Sequence, residues 1–117
     1  MGRSKVLSLI GLATKAGKTA SGEFCTEREV KSGGAALVII ADDASDNTKK
    51  MFSNMCAFYE VPRCICGTKE ELGTAVGKAM RASLAVTDEN FARAISKRLE
   101  QAGKQIDNNA NSHLERV

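Results

Sequence analysis

Apolar residues recur at helical spacing in three stretches of the chain. The first predicts a helix over residues 4–16, the second a helix that begins at Ser45 or Asp46 and stops before Pro62, and the last a helix that begins after Asp88. Between the first two of these, another helix is predicted over residues 24–32, where it ends before Gly33 and Gly34. Thr68 and Glu71 have the Thr-x-x-Glu spacing of a capping box, which predicts one more helix, to about residue 78.

The apolar stripes of the two later helices mark the sides that we expect to face the core. In the third helix the stripe consists of Met51, Phe52, Met55, Phe58 and Tyr59. In the last helix it consists of Phe91, Ala94, Ile95, Leu99 and Ala102. Each stripe predicts one helix face packed on a sheet.

Short apolar runs between the helices predict strands. Residues 35–41, AALVIIA, are apolar on both faces and β-branched in the middle, which predicts a central strand covered on both sides. Residues 63–66 and 82–87 predict two further strands, and residues 18–22 a short extended piece. Helices that alternate with strands predict an α/β fold, a three-layer α/β/α sandwich with a small mixed, mostly parallel four-stranded sheet.

The length of 117 residues suits one domain, which we place at residues 1–102. Residues 103–117, with Asn108, Asn109 and Asn111, lack apolar periodicity and predict a polar C-terminal tail. The longest apolar run is too short for a bilayer, and the N-terminal apolar stretch is interrupted by polar residues. We therefore expect a cytoplasmic protein that has no membrane partner. We also expect it to be a monomer when free.

The cysteines predict neither a disulfide framework nor a metal site. Cys25, Cys56, Cys64 and Cys66 include no pair at the two-residue spacing of a zinc or redox motif, and the one histidine is His113 in the predicted tail. We expect reduced, mostly buried thiols, no metal and no cofactor.

Two segments suggest chemistry that their context does not support. Gly17-Lys18-Thr19 looks like the end of a P-loop, but that loop needs another glycine where this chain has Leu12, and it follows a strand rather than a helix. Asp42, Asp43 and Asp46 follow the central strand and could hold Mg²⁺. Capping of the third helix by one acid, with the others favouring its dipole, is the alternative. No nucleophile and base pair completes a catalytic site, so we expect no enzyme.

Basic residues concentrate around the predicted start of the second helix. The net charge is +3, and the first carboxylate in the chain is Glu23. Five residues surround that helix start, namely Lys15, Lys18, Gly22, Arg28 and Lys31, while Lys78 and Arg81 flank a loop before the last strand. A helix N-terminus with cations around it suits a polyanion such as RNA phosphate. A solvated basic end without a ligand is the alternative.

Three stretches of the chain resemble a known family. They are LATKAGKTASG at residues 12–22, KSGGAALVIIA at residues 31–41 with the two aspartates that follow, and ELGTAVGKAMRASLAVTD at residues 71–88. Together they resemble the ribosomal protein L7Ae/L30e family, a group that binds kink-turn RNA, and within it the small bacterial ribosomal-type proteins. The resemblance covers residues 4 to about 99.

The resemblance implies an α/β/α protein without enzymatic activity that binds structured RNA, either ribosomal or kink-turn-like, and that associates with the ribosome. It implies contacts through the start of the second helix and the loop before the last strand. Gly22 matches the family's turn glycine and Arg28 its basic residue one helical turn on, while Gly77, Lys78 and Arg81 fall in the second contacting loop.

One position departs from the family pattern. Kink-turn binders carry a polar pair, Asn-Glu or Lys-Gln, where this chain has Phe24-Cys25. Neither side chain makes those polar base contacts. Phe24 is therefore predicted to stack on an unpaired base. The alternatives are a buried Phe24, or a protein-interaction module on the same fold in which an exposed Phe24 anchors a protein partner.

Overall fold

The computed structural model describes residues 2–107, so the predicted polar tail from Asn108 onward lies outside the described residues. Along this range helices and strands alternate as the apolar pattern predicts. In chain order they are α1 (Gly2–Lys15), β1 (Thr19–Ser21), α2 (Glu23–Ser32), β2 (Leu37–Ile40), α3 (Asp46–Tyr59), β3 (Arg63–Ile65), α4 (Lys69–Ala75), β4 (Ser83–Val86) and α5 (Glu89–Gln101). No helix within residues 2–107 combines the length and apolar character needed to cross a bilayer.

The four strands form one mixed sheet in the order β1-β4-β2-β3. β2 and β3 are parallel, whereas β4 lies between β1 and β2 and is antiparallel to both. Three strands therefore share a direction, but two of the three pairings are antiparallel, which differs from the mostly parallel sheet that the pattern predicts. A strand buried on both faces shows the same apolar pattern in either direction, so the sequence does not reveal this reversal.

Helices cover both faces of the sheet. α2 contacts α3 in one layer, and α1 contacts α4 and α5 in the other. All side chains of β2 and β4 are buried between them. The core is completed by helix residues such as Ile10, Phe52, Leu72 and Ile95. The structure thus confirms the three-layer α/β/α sandwich.

Side chains cap three of the helices. The Ser45 hydroxyl accepts the amide hydrogen of Thr48 at the start of α3, and the Asp88 carboxylate accepts that of Phe91 in α5. Thr68 and Glu71 form a complete capping box at the start of α4. These caps satisfy amides that have no partner inside their helices.

The predicted stripe of α3 is wrong at its C-terminal end. Phe52 is buried, but Phe58 is 77% exposed and Tyr59 is exposed as well. At 3.6 residues per turn, a residue six positions after Phe52 lies on the far side of the helix. Cys56, four positions after Phe52, completes the buried face instead.

The chain returns to the sheet after α5. The backbones of Arg63 and Asp107 exchange two hydrogen bonds, which form an antiparallel bridge at the outer edge of β3. The Arg63 guanidinium, on a residue only 7% exposed, also donates to the Asp107 carboxylate at 2.8 Å. Ile106 packs against the core. Residues up to 107 therefore pack on the sheet, while the division at residue 102 into a domain and a tail stays a prediction.

Gly73 in α4 lets the following loop fold back onto its helix. A Cβ atom at this position would lie 2.6 Å from the Ala79 carbonyl oxygen and 2.8 Å from the Met80 Cα. The Gly73 carbonyl also accepts the Lys78 amide hydrogen at 2.7 Å. The loop between α4 and β4 is thus seated directly on this glycine.

We expect Gly73→Ala to lower the free energy of unfolding by about 1–3 kcal/mol, because the new methyl group must displace backbone atoms. Urea unfolding followed by circular dichroism measures the change. Gly11→Ala in α1 is the matched control, since its Cβ would meet its nearest neighbour, the Ala75 carbonyl oxygen, at an ordinary 3.6 Å. Alanine should be neutral there or stabilise the protein by up to about 1 kcal/mol. Equal effects of the two substitutions would contradict the packing argument.

Candidate nucleic-acid interface

Three hydrogen bonds join the turn between β1 and α2 to the start of β4. The Gly22 amide donates to the Ser83 carbonyl oxygen at 3.0 Å. The Ser83 hydroxyl donates to the Thr26 hydroxyl at 3.2 Å, with both residues buried. The Arg81 Nε donates to the Ser21 hydroxyl at 3.2 Å. The two segments that the sequence analysis assigned to one site are therefore in direct contact.

Gly22 has a backbone conformation that suits glycine alone. Its φ of 93° and ψ of 163° lie in a region that other residues enter only with strain. A side chain here would also approach the Arg81 side chain, since a Cβ would lie 3.7 Å from the Arg81 Nε. No side chain caps α2, so the first-turn amides of Glu23, Phe24 and Cys25 have no partner within the helix.

The Arg81 side chain lies beside this helix start and has unused hydrogen-bond donors. Its described hydrogen bonds, to the Ser21 hydroxyl and to the Met80 carbonyl oxygen, use two of the five N–H donors of a guanidinium. The Met80 side chain next to it is 51% exposed. Neither the contact of Arg81 with Ser21 nor the exposed Met80 beside it was predicted from the sequence. A lone methionine in a predicted loop is a weak signal, and the contact with Ser21 spans sixty residues of sequence.

Phe24 is exposed in the first turn of α2, which excludes the alternative of a buried side chain. It is 72% exposed, and the Arg28 guanidinium lies 5.7 Å from the centre of its ring. This distance allows a cation–π contact between residues one helical turn apart. A shallow groove of about 460 Å³ runs along this helix face, lined by Phe24, Glu27, Arg28, Lys31 and Ser32.

Lys31 lies at the other end of this groove and is paired. Its ammonium donates to the Glu27 carboxylate at 2.7 Å. This hydrogen bond and the negative charge of Glu27 raise the pKa of Lys31. Arg28 is paired less closely, since its Nε lies 3.8 Å from the Glu29 carboxylate.

The structure places Lys15 and Lys18 away from the start of α2. The Lys18 carbonyl oxygen accepts the Thr87 amide hydrogen at the C-terminal end of β4, whereas Gly22 pairs with Ser83 at its N-terminal end. Along an extended strand, four residues separate Lys18 from Gly22 by about 13 Å. The expectation that all the basic candidates meet at one end is therefore wrong for this pair, and their contact with RNA stays a prediction. The order helix, turn, strand around Gly17 also differs from a P-loop.

Gly77 and Lys78 share the loop of Arg81. Both are exposed, and Gly77 has a φ of 77° in the tight turn that ends α4. The Arg81 amide donates to the Lys69 carbonyl oxygen, which holds the end of this loop against the start of α4. Arg81 thus brings this loop against the turn before α2, and Lys78 lies three residues earlier in the same loop.

Carboxylates border this basic surface on its β2 side. Asp42 and Asp43 are exposed just after β2, where the Ala41 amide donates to the Ala82 carbonyl oxygen. The side chain that caps α3 is that of Ser45, so none of the three aspartates has the capping role proposed for one of them. Asp43 instead accepts the Lys69 amide hydrogen at the start of α4, at 2.8 Å. Within residues 2–107, no cluster of three or more acidic, histidine or cysteine side chains is close enough to hold a metal ion.

The four cysteines are free thiols, and they differ in burial. Cys56, Cys64 and Cys66 are buried, while Cys25 in the first turn of α2 is partly exposed. Burial raises the pKa of the Cys56 thiol to about 11 and that of the Cys64 thiol to about 11. A protonated, buried thiol is a poor nucleophile. The reactivity of the Cys25 thiol can therefore report how accessible the start of α2 is.

Comparison with known proteins gives concordant matches. The model of the ribosomal protein L7Ae/L30e/S12e/Gadd45 family matches residues 4–96. The RNA-binding protein YlxQ of Bacillus subtilis is 39% identical over 87 residues, which cover 74% of this chain and 87% of that protein. The YlxQ protein of Enterococcus faecium is 36% identical over 98 residues, covering 84% and 94%.

A solved structure extends the match to three dimensions. A protein of unknown function from Bacillus halodurans superposes with a TM-score of 0.79 at 35% identity. The superposition covers 82% of this chain and 97% of that one. The likeness therefore extends over nearly the whole of that protein's fold.

We expect iodoacetamide at pH 8 to modify Cys25 of the folded protein and to leave Cys56, Cys64 and Cys66 unmodified, because burial protects the latter three. Intact mass and peptide mapping count and locate the adducts. Cys25→Ser is the control and should take up no label until urea unfolds it. Rapid labelling of Cys56 or Cys64 in the native protein would contradict the burial described here.

Proposed function

This chain belongs to the ribosomal protein L7Ae/L30e/S12e/Gadd45 family, and we propose that it binds structured RNA where the β1–α2 turn meets the start of β4. We call this area the RNA surface, and it consists of Gly22, Phe24, Arg28, Lys78 and Arg81. The observation that carries the proposal is the hydrogen-bonded junction of the two segments. The names of the YlxQ relatives support it.

The helix start and Arg81 would together hold a phosphate. First-turn amides that point out of a helix carry partial positive charge and donate to anions. Gly22, lacking a side chain, leaves room for close approach to them. The Arg81 side chain lies beside Gly22, and a guanidinium binds phosphate in a bidentate manner. Lys78 and Arg28 would contact neighbouring phosphates.

Phe24 defines the RNA element that fits best. An exposed ring offers a stacking face and no hydrogen bond to a base edge. A regular duplex keeps its bases stacked on one another, so the ring requires an unpaired base in a bulge or internal loop. We propose a kink-turn or a related internal loop with an extruded base. The Phe24–Arg28 contact would hold the ring in place for stacking.

The remaining predicted residues have secondary places in this proposal. Gly77 shapes the loop that presents Lys78. Lys31 would reach the RNA at the far end of the groove along α2, with its charge shared with Glu27. Lys15 and Lys18 would contact only an RNA long enough to extend past β1.

We propose that the protein acts by binding alone, since its family and relatives are named for ribosomal and RNA-binding roles. Ribosomal RNA is the polyanion that the family name suggests, and association with the ribosome in the cytoplasm follows from it. We propose a monomer in the free state.

A titration with three RNAs tests the proposal. The purified protein is mixed with a kink-turn RNA, the same RNA with its G·A pairs disrupted, and a plain duplex, at several salt concentrations. We expect the internal-loop RNAs to bind more tightly than the duplex, with log affinity falling against log salt by about 0.7 to 0.9 per phosphate contact. Equal weak binding of all three RNAs would remove the proposal.

Removing one charge from the RNA surface should weaken binding and flatten the salt dependence. We expect Arg28→Gln and Arg81→Gln each to lower affinity about tenfold and to reduce the salt slope by about 0.7 to 0.9. Lys18→Gln removes the same charge at the other end of β1 and serves as the matched control, with a smaller effect. A larger loss of RNA affinity in the Lys18 variant than in the other two would place the RNA site at the other end of β1 and contradict the proposal.

Removing the stacking ring should weaken binding to the internal-loop RNAs and leave the duplex unaffected. We expect Phe24→Ala to cost about 1–3 kcal/mol of binding free energy, the value of one stacked base. Phe58→Ala removes an equally exposed ring from α3 and should change nothing. Fluorescence anisotropy measures both. Unchanged RNA affinity in the Phe24 variant would favour the alternative, in which this ring anchors a protein partner.

A further inference from the structure

A second basic surface lies in the groove between α1 and α5. The groove has a volume of about 420 Å³ and is lined by Lys5, Ser8, Leu9, Ala94, Lys97 and Arg98. α1 and α5 belong to the helix layer opposite α2, and none of the six lining residues belongs to the RNA surface. Ala94, predicted to face the core, is exposed here instead.

The charge of the groove has one sign. Three of its lining residues, Lys5, Lys97 and Arg98, are cationic, and none of the described lining residues is acidic. α1 contains no acidic residue. The acids of α5, Glu89 and Glu100, do not line the groove. Such a field attracts a negatively charged partner.

The floor of the groove favours a protein over RNA. Leu9 and Ala94 give it an apolar base, and Leu12, one helical turn beyond Ser8, is 54% exposed. Apart from Lys5, the lining residues lie beyond the first turns of α1 and α5, where backbone amides are already bonded within the helix. Its lining residues include no aromatic ring on which a base could stack. Apolar groups flanked by cations match an amphipathic helix with acidic edges.

We propose that the α1–α5 groove binds an acidic amphipathic helix of a protein partner. The apolar side chains of that helix lie on Leu9 and Ala94, and its carboxylates pair with Lys5, Lys97 and Arg98. The groove shares no lining residue with the RNA surface, so the protein can hold an RNA and a protein at the same time.

A designed peptide tests this proposal. The probe is a fluorescein-labelled helical peptide of about four turns, with leucine at every third or fourth position and glutamate at most others. We expect it to bind the wild-type protein in a salt-sensitive manner and to shift the amide resonances of residues in α1 and α5. A peptide of the same composition with the leucines out of helical register should bind at least about tenfold more weakly.

Matched variants separate the groove from net charge. Lys5→Glu with Lys97→Glu should weaken the peptide at least about tenfold. Lys49→Glu with Lys50→Glu makes the same charge change on α3 and should leave peptide binding unchanged. Ala94→Glu keeps every cation but places a carboxylate on the groove floor, and should weaken the peptide too. Circular dichroism checks that each variant is folded.

Several results would overturn the proposal. These are no binding to the wild-type protein, equal binding of the out-of-register peptide, or equal losses in the α1–α5 and α3 double variants. A loss of RNA affinity in the Lys5 and Lys97 variant without a loss of peptide affinity would make the groove an RNA contact instead. Arg81→Gln should retain peptide binding, so failure of the RNA proposal is distinguishable from failure of this one.

Discussion

The functional end of this protein depends on the hydrogen-bonded contact between the β1–α2 turn and the start of β4. The Gly22 amide and the Ser83 carbonyl oxygen extend the β1–β4 ladder by one residue, and the buried hydroxyls of Thr26 and Ser83 bind the first turn of α2 to the same strand. Arg81, two residues before Ser83, is thereby held against Ser21. A helix end, a glycine and a guanidinium converge because β4 lies next to β1.

Much of this architecture could be predicted from local sequence signals. The apolar periodicities that predict α1, α3 and α5, the capping box of Thr68 and Glu71, and the Asp88 cap are properties of neighbouring residues, and the structure has these helices and both caps. Gly22 and Arg81 were also identifiable, as a turn glycine before a helix and a cation before a strand. The family resemblance linked these two segments, since their separation along the chain conceals their contact.

The remainder depends on the arrangement of the elements in space. The short sequence of β4, buried on both faces, does not indicate that the strand inserts between β1 and β2 in the reverse direction, and that reversal decides which loops share an end of the sheet. Lys18 and Gly22 are close in sequence, yet β1 carries them to opposite ends. Phe58 was misassigned for a different reason, because the predicted stripe did not follow the helical period, which places a residue six positions after Phe52 on the other side of the helix.

The bridge between Arg63 and Asp107 has a consequence for solubility. β3 is the outer strand on its side of the sheet, and an open strand edge is a template on which a second polypeptide can add by backbone pairing. Asp107 already occupies the backbone donor and acceptor of Arg63 on that edge, and the partly buried ion pair ties the two residues together. The domain thus shields part of its vulnerable edge with its own chain, a safeguard against self-association during and after folding.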